Sequence, residues 1–176
     1  SGFYGSTLNT RQYATKGYLE KLIAQVFTGR ERFEPGNPQE GYSPSPQERQ
    51  SWLQISYMKE AYHTMGPKFT LGWMAEALYS SKNFSENYTA TMMQAGEFAP
   101  TPHSKLMYNE AFRANQYVAA GIKPIYVLND MFQFRTEFYG FTPIFPIKKN
   151  ALNKAYYGKA FSRFEYMGEV SVICHY

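Results

Sequence analysis

The sequence predicts an all-β fold: antiparallel strands running up and down as a transmembrane β-barrel, here an incomplete, C-terminal portion with long extracellular loops. Three observations lead there. Six segments alternate apolar and polar residues, as strands with one oily face do. Their connections are alternately long and short, as in outer-membrane barrels, whose turns are short at the periplasmic end and whose loops are long at the outer end. The composition joins 14 Phe, 16 Tyr and 44% hydrophobic residues to a mean hydropathy of only −0.49. Alternation gives that combination, because the average stays low while one face is oily.

Residues 69–79 show the pattern best. Phe69, Leu71, Trp73, Ala75, Ala77 and Tyr79 fall on one side, with Thr70, Gly72, Met74 and Glu76 between them. Ten steps at about 3.3 Å give roughly 33 Å of strand, and a tilt of about 40° projects this to roughly 25 Å, the height of an outer-membrane apolar band. Helical spans are excluded, since no apolar run approaches the roughly 20 residues such a span needs.

The other strands follow in order. In residues 18–27, Leu22, Ala24 and Val26 oppose Lys21 and Gln25, although Leu19 and Ile23 blur the faces. In 51–62, Leu53, Ile55, Tyr57 and Ala61 point outward against Gln54, Ser56 and Glu60. Lys59 breaks that set, and is expected to snorkel to the interface from near a turn. In 112–128, Val118, Ala120, Ile122, Tyr126 and Leu128 oppose Arg113, Asn115, Tyr117 and Lys123, with Pro124 weakening the strand locally. In 132–141, Phe132, Phe134, Thr136 and Phe138 oppose Gln133, Arg135, Glu137 and Tyr139. In 164–176, Val170, Val172, Cys174 and Tyr176 oppose Glu169, Ser171 and His175. From these faces the lumen is assigned Glu76, Lys123, Arg135 and Glu137, and the lipid-facing girdle Phe69, Trp73, Tyr79, Phe132, Phe134 and Phe138.

The connections at 28–50, 80–111 and 142–163 are long, and those at 63–68 and 129–131 short. Turn formers concentrate in the long ones, as in Pro35, Gly36, Pro38, Gly41, Pro44 and Pro46, or Pro100 and Pro102. Six strands do not close a single-chain barrel, which needs an even number of at least about 8. Residues 2–8 look like the end of a preceding strand, entering a turn through 9–16. We expect one barrel domain over 1–176, with further strands outside it.

Asn9, Thr10, Arg11, Tyr13, Thr15, Lys16 and Gly17, followed by the strand at 18–27, resemble the strand–turn–strand signature of the outer-membrane surface-antigen barrel superfamily, which includes protein insertases and secretion pores. Asn109, Glu110, Ala111, Phe112, Arg113, Ala114 and Asn115, with 129–140 and 142–145 beyond them, are more specifically similar to the C-terminal barrel attached to patatin-like phospholipases of Bacteroidota. The resemblance covers nearly the whole chain. It implies a bacterial outer-membrane location and a patatin domain upstream of Ser1, a lipid acyl hydrolase tethered to, or presented through, the barrel.

Catalysis within these residues is not expected. A patatin-type hydrolase needs a serine in a Gly-x-Ser-x-Gly elbow and an activating aspartate, and neither occurs; Asp130, the single aspartate, sits in a turn context and reads as structural. Thr101, Pro102, His103 and Ser104 read as a turn, since a triad is recognised by spatial arrangement and an orienting partner. His63, His103 and His175 are far apart, Cys174 is the lone cysteine, and no metal site or cofactor is expected. The sequons at Asn83 and Asn87 are chance matches in a bacterial protein. A charge of +4 does not point to nucleic acid, because the basic residues are scattered apart from Lys148, Lys149, Lys154 and Lys159. Those four read as a solvated loop placed to meet lipid phosphates, including those of lipopolysaccharide. The expected partners are outer-membrane lipids and the upstream domain. Two other readings stand beside the phospholipase anchor: an insertion or translocation barrel acting on unfolded proteins, and a soluble β-sandwich or lipid-binding barrel.

Overall fold

The computed structural model describes residues 1–10, 13–31, 48–85, 87–129 and 131–174; Arg11, Pro35 to Pro46, Asp130, His175 and Tyr176, on which some of the expectations above fall, lie outside them. Of the described residues, 60% are strand and 9% helix. Strands β1 (Gly2–Ser6), β2 (Gly17–Glu31), β3 (Glu48–Thr64) and β4 (Phe69–Ser80) come first. Helix α1 (Tyr88–Gln94), β5 (Gly96–Glu97), 3-10 turns at Ser104–Leu106 and Glu110–Phe112, and β6 (Arg113–Ala114) follow. Then come β7 (Gln116–Val127), β8 (Phe132–Pro143), β9 (Ile147–Lys149), β10 (Ala155–Tyr157) and β11 (Glu165–Cys174). Seven strands form one antiparallel sheet in the order β1-β2-β3-β4-β7-β8-β11, while β5–β6 and β9–β10 are separate two-stranded ladders. The up-and-down order holds throughout. The sheet is open, with β1 and β11 at its edges, and no closed barrel is formed among the described residues.

The expected bounds of three strands need correction. Residues 18–27 and 51–62 are parts of longer strands, because pairing continues through Thr28↔Ser51 and Gly29↔Gln50, where small polar side chains hide it from an apolar count. The strand end expected at 2–8 is present as Gly2–Ser6, with Gly2 opposite Ile23 and Ser6 opposite Leu19. Its turn ends at Gly17, whose φ of 93° and approach to the Thr7 carbonyl, 2.2 Å from where a Cβ would stand, admit only glycine. The segment 112–128 divides. Asn109 caps a 3-10 turn by accepting from the Ala111 N–H, Arg113 and Ala114 pair with Glu97 and Gly96, and the long strand starts only at Gln116. The pairing of β7 with β8 lapses at Lys123 and Pro124, as the missing proline N–H requires.

The sheet is strongly curled. β1 and β8 are five strands apart, about 24 Å in a flat sheet, yet the turn after β1 reaches β8, where the Ala14 carbonyl accepts from Arg135 Nη1 at 3.1 Å. The connection expected as an extracellular loop at 80–111 also turns inward. Phe98 and Phe112 are buried on the concave face with Tyr117, Tyr139 and Phe141, and Phe98 packs 5.9 Å from Phe141 and 6.0 Å from Tyr139 between ring centroids. Burying such rings, each worth about 1.5–3 kcal/mol, holds the segment against the sheet. Asn87 caps α1 by accepting from the Ala90 N–H at 2.8 Å, and Ile147 of β9 packs on the helix beside Met92 and Ala95.

Candidate functional site

The side chains divide by face as the pleat dictates, and the two faces differ in chemistry. On the concave face, Lys123, Arg135 and Glu137 are buried and Glu76 is half-buried. All four residues assigned to the lumen therefore share the interior side, but they do not form one cluster. Lys123 Nζ donates to Glu60 Oε1 at 2.7 Å. Arg135 Nε donates to Glu137, and Arg135 Nη2 to the Tyr62 hydroxyl at 2.8 Å. Tyr62 donates to Glu60, and Tyr139 to Glu137. Glu76 stands apart, accepting from the Tyr117 hydroxyl at 2.6 Å.

Glu60 and Tyr62, the residues that link the Lys123 and Arg135 pairs, are missing from the assignment made on sequence. Glu60 was legible as inward by alternation, but its partner lies 63 positions away. The glycines offered a second signal. A Cβ on Gly72 would stand 2.6 Å from the Tyr62 ring, and one on Gly121 2.2 Å from the Tyr139 ring. Each glycine makes room for a tyrosine of a neighbouring strand to lie across it, which aims the hydroxyl at the ion network.

This network walls a cavity of about 570 Å³ whose lining includes Glu60, Glu76, Lys105, Lys123, Arg135 and Glu137. Three carboxylates face three cations there, so the wall is close to charge-balanced. Pro100, Pro102 and Leu106 of the inward segment line the same cavity. The arrangement fixes the interior of the curled sheet through charge-assisted hydrogen bonds; it offers no nucleophile paired with a base.

On the convex face, the residues assigned to the girdle all lie on one side. Phe69, Tyr79, Phe132, Phe134 and Phe138 are 39 to 53% exposed, and Trp73 is half-buried. They are joined by Leu22, Val26, Leu53, Ile55, Val118, Ile122, Tyr126, Tyr166, Val170 and Val172, all exposed. Lys59 is corrected here: it lies well inside β3, not beside a turn, and its Nζ is 3.7 Å from Glu20 Oε2 across the strand pair. Tyr57 also donates to Glu20, at 2.7 Å. The interruption of the apolar face is thus a compensated ion pair.

His103 and Ser104 do not work together. The His103 ring contacts Glu169 at 2.9 Å, while Ser104 Oγ donates to the Thr101 carbonyl at 2.9 Å and accepts from the Thr101 N–H at 3.0 Å. The run is a hydrogen-bonded turn leading into the 3-10 segment. Among the described residues no group of three His, Cys, Asp or Glu is placed to hold a metal. Lys148, Lys149, Lys154 and Lys159 lie on and beside the β9–β10 ladder and are exposed, with Lys149 Nζ 5.7 Å from the Tyr88 ring centroid. Tyr88 donates to Glu110; burial, then the bond to that carboxylate, push its phenol up to about 12, so it stays neutral and a donor. Among the described residues no helix is long and apolar enough to cross a membrane. Comparison with family models, with curated proteins and with solved structures finds no match.

Proposed function

We propose that this chain is a membrane-spanning β-domain of the bacterial outer membrane: a non-catalytic anchor forming part of a barrel wall, whose remaining strands pair with the free edges of β1 and β11. One observation carries this reading. The convex face of a seven-stranded sheet is largely apolar and is exposed or half-buried along most of its strands, while the concave face buries ions. A soluble monomer rarely exposes more than a few hundred Å² of contiguous apolar surface. A barrel in lipid places it outward by design. A soluble β-sandwich would set a second sheet against that face, and no described element covers it.

The parent protein is proposed from the sequence resemblance alone: a patatin-like lipid acyl hydrolase, with the hydrolase domain upstream. The experiment is extraction of the native polypeptide from isolated membranes. The expected result is retention through alkaline carbonate, release by detergent and an intact mass well above 20.3 kDa. Release without detergent at about that mass overturns the membrane reading. Release by detergent with upstream soluble repeats in place of a hydrolase domain would keep the barrel and replace the phospholipase with a translocation barrel.

A further inference from the structure

We propose that the convex face binds a phosphorylated, acylated lipid at its long-loop end, with one acyl chain in an apolar groove and the phosphate on the connection that carries Lys148 and Lys159. This rests on the membrane-spanning reading and names one lipid partner for it. The groove has a volume of about 770 Å³. Its floor is Ala75, Ala120 and Gly140, which lie in register across β4, β7 and β8. Its walls include Phe138, Phe164 and Tyr166, whose exposures of 53%, 66% and 82% mean that the rings stand up from the floor without closing over it.

The connection that leaves β8 and returns to β11 supplies the charge that selects the occupant. Its two roots are held together just beyond the groove, where Thr142 Oγ1 donates to the Arg163 carbonyl at 2.8 Å and the Phe161 N–H to the Ile144 carbonyl at 2.9 Å. Residues 144–164 carry four lysines and Arg163 and no Asp or Glu. Among the described residues none of the four lysines has a carboxylate partner. Lys148 lies along Gly158, so close that a Cβ there would stand 2.9 Å from Lys148 Cε, which sets Lys148 beside the immediate neighbour of Lys159. Phe161, 62% exposed, completes an aromatic and basic border of the kind that meets a lipid headgroup. Lys149 is turned the other way, over Tyr88. An apolar groove and, on the connection rooted beside it, lysines without a carboxylate partner among the described residues are complementary to an anionic amphiphile and to neither a neutral lipid nor a free phosphate.

The test uses the native full-length polypeptide in phosphatidylcholine vesicles, with labelled bisphosphorylated, multiply acylated glucosamine disaccharide (lipid A) as the probe. At about 1 kcal/mol for each surface lysine, the double variant Lys148→Ser/Lys159→Ser weakens binding about tenfold to thirtyfold, while Lys149→Ser changes it less than about twofold. Ala120→Phe fills the groove and weakens binding about tenfold; Phe164→Ala, which removes a wall and adds no volume, gives the same direction should the larger side chain hinder folding. Equal binding by wild type and the double lysine variant overturns the proposal, as does an equal loss in Lys149→Ser, which would mean diffuse charge attraction. Equal binding of the deacylated disaccharide also overturns it, by removing the acyl chain from the site. A chain that never inserts, with its strands open to protease in the vesicles, overturns the membrane reading instead.

Discussion

Replacing Arg135 by methionine tests the concave network at its centre. The guanidinium has five N–H donors. One goes to Glu137, one to the Ala14 carbonyl and one to the Tyr62 hydroxyl, with side-chain exposures of 3% for Arg135 and 9% for Glu137. Methionine keeps much of the volume and none of these bonds. Glu137 is then left buried with the Tyr139 hydroxyl as its remaining donor. Breaking a buried pair by removing one partner costs about 3–5 kcal/mol, or about two to three and a half powers of ten in the folding equilibrium. Replacing both partners is different, because no uncompensated charge stays inside: Arg135→Met/Glu137→Met should cost less than either single change. The assay is equilibrium urea unfolding of the detergent-folded protein, followed by Trp52 and Trp73 fluorescence, on the two single variants and the double. A single variant within about 1 kcal/mol of wild type, or a double variant whose cost is the sum of the singles, would refute the reasoning, since independent sites add.

Three further outcomes are expected. Ile122→Arg, at a 51% exposed convex position, should lower stability in lipid vesicles by about 2–4 kcal/mol if the residue faces the bilayer, whereas an exposed position in water would move by no more than about 0.5 kcal/mol; urea titration of vesicle-folded protein separates the two. Gly121→Ala should cost about 1–3 kcal/mol by overpacking, since the added methyl meets the Tyr139 ring at 2.2 Å and the Phe138 carbonyl at 2.8 Å; an unchanged unfolding midpoint would remove the glycine–tyrosine fit from the account. Phe98→Ala should cost about 3–5 kcal/mol of the local packing and release the inward segment, read as faster proteolysis between 96 and 112 with β4 and β7 still protected; unchanged cleavage there would mean that something other than the ring cluster holds the segment.

The strand faces were legible in the sequence because side-chain direction in a strand is local: every second residue points the same way whatever the rest of the chain does. For that reason Glu76, Lys123, Arg135 and Glu137 fall on the concave face, and Phe69, Trp73, Tyr79, Phe132, Phe134 and Phe138 on the convex face, as alternation alone required. The β3–β4 and β7–β8 pairings were legible too, since short turns force those neighbours to pair. What alternation could not supply is which inward groups meet. Lys123 finds Glu60 across 63 residues, and Arg135 finds Ala14 across 121; both depend on how far the sheet curls, a property of strand twist summed over several strands. The same limit hid the path of the 80–111 connection, where Phe98 and Phe112 look like loop aromatics until the concave face gives them a surface to bury against. Local alternation set the face each strand residue takes and the chemistry of those faces. The ion partners and the inward turn of the long connection came only with long-range folding, because each is a contact between segments that no local period encodes.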